Sequence, residues 1–261
     1  MIKISFLGDI VGRPGRSAVK EYLGSFTESR SHLIIANAEN SAGGNGLTAK
    51  LANELRGYGC DLLTLGDHVW DQKGFEREIG NLDFVCRPWN LPTENPGRRH
   101  LEFQIGGTDV RVAVATFLGR SFMGIKADCP FLAVNDFINE VKPRCQIIFV
   151  EIHAEATAEK IAFGWHVNGK VAAVVGTHTH VQTADGEILD GGTAYLTDVG
   201  MCGPHRSVLG REVAPIVERF IDGMPRKCDI ANEDLRVSCC HLDVDPNTGQ
   251  CISIHVEQKK L

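Results

Sequence analysis

Five β-like apolar runs in this chain end in side chains that bind metal ions, and that repetition limits the fold more than any other feature. Ile4-Ser5-Phe6-Leu7-Gly8 runs into Asp9, and His32-Leu33-Ile34-Ile35-Ala36 runs into Asn37-Ala38-Glu39-Asn40. Leu62-Leu63-Thr64-Leu65-Gly66 leads to Asp67-His68, and Ile147-Ile148-Phe149-Val150 to Glu151-Ile152-His153. Val174-Val175-Gly176-Thr177 ends in His178-Thr179-His180. One strand ending in Asp is ordinary, because Asp caps helices and stabilises turns. Five such endings in succession point to strands whose carboxyl ends share one edge, where α/β sheets bind ligands. Residues two apart in an extended segment project to one face. His178 and His180 are therefore expected to reach the same spot side by side.

The segments between these runs alternate in character. After Asp9, the turn Val11-Gly12-Arg13-Pro14-Gly15 opens a helix over 16–23, with proline at a favourable early position. Thr48 is placed as the N-cap of a helix through Leu51 and Leu55 that ends near Gly57 and Gly59. This βαβαβ order implies parallel strands with helices on their faces. Strands at 101–105 and 110–114 around Gly106-Gly107-Thr108-Asp109 predict a hairpin. Helices are expected over 132–141 and 157–166, and strands at 193–197, 236–244 and 251–256. The expected architecture is a two-sheet α/β sandwich, one domain over 1–261.

Composition narrows the function. The net charge of −6 argues against a broad basic surface for nucleic acid. It leaves room for a small phosphorylated ligand, since bound metal supplies positive charge locally. Nine cysteines are scattered with no C-x-x-C pair, against a zinc ribbon or thioredoxin-like site. Buried thiols fit a reducing compartment. No signal peptide and no membrane-length apolar stretch is evident, so a cytoplasmic protein without membrane contact is expected. A homo-oligomer is left open.

The chemistry falls on Asp9, Glu39, Asn40, Asp67, His68, His153, His178 and His180. Carboxylate and amide oxygens mixed with imidazoles suit Fe, Mn or Zn better than Ca or Mg. Seven ligands among these eight residues exceed one transition-metal site and suit two ions about 3.5–4 Å apart sharing a carboxylate. Such a pair can activate a bridging water to hydroxide and neutralise charge on a phosphoryl group. Asn37 and Asn40 have an alternative role in stabilising the turn. His32, His100, His166, His241 and His255 are read as structural or surface residues.

Several of these motifs together resemble a known family. Gly8-Asp9-Ile10-Val11-Gly12, Asn37-Ala38-Glu39-Asn40, Gly66-Asp67-His68-Val69-Trp70-Asp71 and His153-Ala154-Glu155-Ala156-Thr157 occur in its order. Gly176-Thr177-His178-Thr179-His180-Val181-Gln182-Thr183-Ala184-Asp185 and Thr193-Ala194-Tyr195-Leu196-Thr197-Asp198-Val199-Gly200-Met201 extend the match over nearly the whole chain. The chain resembles the YmdB-like metallophosphoesterases, a bacterial branch of the calcineurin-like superfamily.

The resemblance implies a four-layer α/β sandwich with two central mixed sheets. It also implies phosphodiesterase activity, including on cyclic nucleotides, with iron or manganese as the usual metal. Carried over by motif, Asp9, Glu39, Asn40 and His180 would hold one ion. Glu39, Asp67, His153 and His178 would hold the other, with Glu39 shared. His68 would be the general acid that protonates the leaving alkoxide. Asp9 lacks the following histidine of the wider superfamily, a loss this branch shares, with Asn40 in compensation. Asp67 stands where the family usually has Asn, so an amide donor to phosphate is lost. The leading expectation is a dinuclear metal-dependent phosphodiesterase of small phosphodiesters. The alternatives are a phosphomonoesterase and a non-catalytic nucleotide sensor that regulates a partner. Further phosphate contacts are placed at Arg13 and Arg16, beside a helix start, and at His205. Solvated surface arginines are the competing reading of the first two.

Overall fold

The computed structural model describes residues 1–26 and 32–261. In chain order these form β1 (Ile2–Leu7), β2 (Asp9–Ile10), α1 (Gly12–Gly24), β3 (His32–Asn37), α2 (Ala49–Gly57), β4 (Leu62–Thr64) and α3 (Phe75–Glu78). Then come β5 (Val85–Cys86), β6 (Leu101–Gln104), β7 (Arg111–Leu118), α4 (Pro130–Val141), β8 (Ile147–His153), α5 (Thr157–Val167) and β9 (Ala173–Thr177). The last third holds β10 (Glu187–Ile188), β11 (Ala194–Leu196), β12 (Met201–Pro204), α6 (Val213–Asp222), β13 (Leu235–Val244) and β14 (Cys251–Lys260). Among the described residues no helix is long and apolar enough to cross a membrane.

The strands make two mixed sheets. The first runs β2-β12-β13-β1-β3-β4-β5, with β14 also paired to β13. In it β1, β3, β4 and β5 are parallel neighbours, and β13 runs antiparallel to β1. The second runs β10-β11-β9-β8-β7-β6, parallel through β11, β9, β8 and β7, with antiparallel strands at both edges. The parallel strands are buried on both faces, which explains their near-continuous apolar sequences. Phe6 of β1 stacks on Phe149 of β8, ring centroids 5.4 Å apart, so the two sheets share one core. A second apolar cluster lies between the second sheet and α4 and α5, around Phe117, Phe137 and Phe163. Tyr22 and Val19 of α1 pack on the first sheet.

Local signals explain several boundaries. Thr48 Oγ1 accepts a bond from the Leu51 N–H at 3.3 Å and caps α2. Pro130 begins α4, where its missing N–H costs nothing. The hairpin of β6 and β7 pairs Leu101 with Val114, but β7 continues to Leu118 alongside β8.

One expectation fails. The strand β9 ends at Thr177, and His178 and His180 both have left-handed backbone, with φ of 97° and 65°. They are not adjacent teeth of an extended strand. The loop turns each imidazole to a different partner.

Candidate metal centre

The carboxyl ends of β1, β3, β4, β8 and β9 meet where the two sheets face each other. Glu39, Asp67, His153 and His178 each offer a ligand atom, and these four atoms all lie within 4.8 Å of one another. His153 is fully buried at the centre. Its Nε2 is 2.9 Å from Asp67 Oδ1 and 3.1 Å from Glu39 Oε1. His178 Nδ1 is 3.3 Å from Asp67 Oδ1. Beside this group, His180 Nε2 is 3.1 Å from Asn40 Oδ1. Asp9 lies fully buried beneath, its Oδ2 accepting the His178 N–H at 3.2 Å.

The electrostatics call for a cation. Burial pushes Asp9 up to about 7, against the pull of His153. Burial also raises Glu39, but the His153 imidazole outweighs it and holds that carboxyl below its usual range. Bonds from His153 and His178 overcome desolvation at Asp67 and hold it well below the carboxylate range. Burial alone would lower His153, yet Glu39, Asp67 and Asp9 drive it well above the ordinary histidine value. Within the protein itself, only His153 stands against the three converging carboxylates of Asp9, Glu39 and Asp67, so their negative charge is not balanced. Asp9 Oδ1 remains buried with no hydrogen-bond partner. An orphaned carboxylate oxygen in such a nest costs stability unless a cation or water meets it. The donor set therefore fits bound metal.

Outer contacts aim four of the ligands, His153, His178, His180 and Asn40. Thr177 Oγ1 donates to Glu151 Oε1 at 2.7 Å, so it accepts from His153 Nδ1 at 2.9 Å and turns Nε2 toward the carboxylates. Glu155 lies 3.1 Å from His178 Nε2, leaving Nδ1 facing inward. The Leu209 carbonyl meets His180 Nδ1 at 3.3 Å. Asn40 Nδ2 donates to the Gly44 carbonyl, which frees Oδ1. Second partners of this kind orient metal ligands generally. Gly66 is needed by close approach, since a Cβ there would fall 2.5 Å from His153 Nε2.

The left-handed loop is held from below. Lys160 Nζ, fully buried, donates to the Thr177 carbonyl at 2.6 Å and to Asp198 Oδ2 at 2.7 Å. The same Asp198 oxygen accepts from Thr179 N–H at 3.1 Å and Thr179 Oγ1 at 2.8 Å.

A cavity of about 330 Å³ opens over the cluster, with Glu39, Asn45, His68, Glu155, His180 and Arg211 among its walls. His68 donates its backbone N–H to Glu39 Oε2 at 3.1 Å, and its Nδ1 lies 2.8 Å from Asp71 Oδ2. Arg211 donates to Asn45 Oδ1 and to the Cys228 carbonyl, which steadies a cation at the cavity wall.

Two expected substrate contacts are not brought here. Arg13 is exposed on α1 and does not line the cavity. His205 binds the Gly203 carbonyl through Nδ1 and faces Gln258, because β12 carries it toward β14. Arg16 is held by Glu54 and the Ser41 carbonyl, a structural role. The sequence reading missed Asn45, Asp71, Glu155 and Arg211. Asp71 and Glu155 sit within the quoted motifs, three residues from His68 and two from His153. Arg211 has no local signal, since only the tertiary fold brings its loop over Asn45.

Known proteins share this chain's sequence and fold over nearly its whole length. A model of the family described as "YmdB-like protein" matches residues 5–256. The chain is 41% identical over 254 residues to the 2',3'-cyclic-nucleotide 2'-phosphodiesterase of Bacillus subtilis, covering 97% of this chain and 95% of that protein. Two crystal structures superpose closely. One, described as a novel phosphatase, from Mycoplasma pneumoniae, has a TM-score of 0.92 at 33% identity, covering 99% and 93% of the two chains. The other, a hypothetical protein from Thermus thermophilus, has a TM-score of 0.90 at 35% identity, covering 99% of each chain.

Proposed function

The chain belongs to the YmdB-like protein family, and from that premise we propose that it is a metal-dependent phosphodiesterase of small phosphodiesters, cyclic nucleotides included. It is a hydrolase of phosphoric esters, as its relatives are named. In this reading it is one domain over 1–261 with the four-layer α/β sandwich of the calcineurin-like fold. The observation that carries the reading is the convergence of buried Glu39 and His153 with half-buried Asp67 and His178 beside the orphaned Asp9 oxygen.

Asp9, Glu39, Asn40 and His180 would hold one ion, and Glu39, Asp67, His153 and His178 the other, with iron or manganese suited to the mixed oxygen and nitrogen donors. When bound, two such ions supply Lewis acidity and neutralise phosphoryl charge. The protein's own groups do the rest. Asp71 beside Nδ1 of His68 fixes the imidazole so that Nε2 can carry a proton to the leaving alkoxide. Arg211 and Asn45 line the cavity where phosphate oxygens would lie. The cavity volume suits a small ligand the size of a mononucleotide.

The test is turnover by metal-stripped and metal-restored protein on a 2',3'-cyclic nucleotide and on the matching monoesters. The proposal expects metal-restored diesterase activity well above monoesterase activity. Faster monoester hydrolysis would favour a phosphomonoesterase. Tight nucleotide binding without turnover would favour the sensor.

A further inference from the structure

A larger cavity, about 700 Å³, lies away from that centre, between α1 and the β13–β14 pair. Tyr22, His241 and Glu257 line it, and Cys239 lies buried at its base. Cys239 and His241 are two apart on β13 and share one face. Glu257 is the cross-strand partner of Cys239 on β14, so the register places it on that face too. Tyr22 reaches in from α1.

The four donor atoms form a closed figure. Cys239 Sγ is 3.4 Å from His241 Nε2 and 3.8 Å from Glu257 Oε2. His241 Nε2 and Glu257 Oε2 are 3.4 Å apart. The Tyr22 hydroxyl stands 3.4 Å from the sulfur, 3.2 Å from the imidazole and 2.8 Å from the carboxylate. Zinc at about 2.0–2.1 Å from nitrogen or oxygen, and about 2.3 Å from sulfur, spaces tetrahedral donors roughly 3.3–3.6 Å apart. The edges of this figure surround that range. An outer contact also aims a ligand here. Ser5 Oγ lies 2.6 Å from His241 Nδ1, which leaves Nε2 pointing into the group.

We propose that Cys239, His241 and Glu257, with the Tyr22 oxygen at the fourth vertex, form a second metal site that takes zinc. Thiolate, imidazole and carboxylate together select a borderline ion over magnesium or calcium. On binding, Cys239 releases its proton to solvent, and thiolate plus carboxylate balance the dication. The ion would tie α1 to the first sheet through three elements. Three of its ligands sit on paired strands, which fixes their spacing. His241, which the sequence presents as a structural residue, becomes a ligand in this account.

Cobalt separates this site from the phosphoesterase centre, because the donor set of that centre contains no sulfur. Metal-stripped full-length protein is titrated with Co²⁺ while the thiolate-to-cobalt charge-transfer absorption is followed. The expected result is one thiolate-ligated cobalt per chain, displaced one for one by Zn²⁺. The band should persist in Cys228→Ser and in Glu39→Gln, and vanish in Cys239→Ser. If Cys239→Ser fails to fold, Glu257→Gln and His241→Gln should each weaken the cobalt that gives this band by at least about tenfold. No thiolate band in the wild type overturns the site. A band that survives Cys239→Ser, or is untouched by both other variants, does the same. Failure of Zn²⁺ to displace the cobalt overturns its assignment to zinc.

Discussion

His68 sits on the cavity wall with Asp71 behind it, and this pairing makes a specific claim about proton transfer. His68→Ala should slow hydrolysis of a diester with a poor alkoxide leaving group by about 10²–10⁴-fold. With nitrophenolate, which leaves without a proton, the loss should be much smaller. Equal losses for both substrates would mean that His68 positions phosphate and does not protonate. Asp67 supports a second expectation. Its carboxylate adds negative charge beside the phosphate site, where an amide would donate instead. Asp67→Asn should raise diester kcat/KM at saturating metal by roughly fivefold, the effect of about 1 kcal/mol of relieved repulsion. It should also weaken metal retention. An unchanged or lower kcat/KM in fully loaded variant protein would contradict this. The identities of the converging residues were legible because each follows an apolar strand. Their conformations were not. The left-handed backbone at His178 and His180 depends on Asp198 and Lys160, which approach only in the folded chain. Arg211 was invisible for the same reason, and His205 misled because only the folded chain shows it turned toward the Gly203 carbonyl and Gln258.

Among elements, the loop after β9 depends most on a distant partner. The buried Lys160–Asp198 pair ties α5 to the end of β9 and to the 197–200 segment that joins β11 to β12. Removing one member of a buried ion pair leaves the other charge uncompensated, at about 3–5 kcal/mol. Asp198→Asn should lower the unfolding free energy in urea by that amount and reduce metal retention with it. A loss below about 1 kcal/mol would show that the pair is not what holds the loop. The parallel strands and the cap at Thr48 were legible because apolar runs and a capping threonine act locally. The short strands β2, β10 and β12 were not, since two to four residues pair only where a neighbouring strand offers its edge. The helix α6 also went unread. It buries none of its residues, so no core contact stands behind its pattern.

At the scale of the molecule, two sheets bring the carboxyl ends of their parallel strands to one seam, and the stacked Phe6 and Phe149 lie in the core that holds the sheets together. That arrangement explains why ligands so far apart in sequence, from Asp9 to His180, meet at one place. Order along the chain made the seam legible. The partition of ligands between two ions did not follow from it, because the histidine loop turns its two imidazoles apart. The central claim is that this seam is a shared-carboxylate metal centre, and Glu39 is its hinge. The direct measurement is Fe and Mn content by elemental analysis, on wild type and Glu39→Gln protein reconstituted side by side. About two ions per wild-type chain, and one or fewer in the variant with diester hydrolysis lost, is the predicted result. Equal metal content in the two proteins, or a variant that hydrolyses the diester at the wild-type rate, would contradict the account.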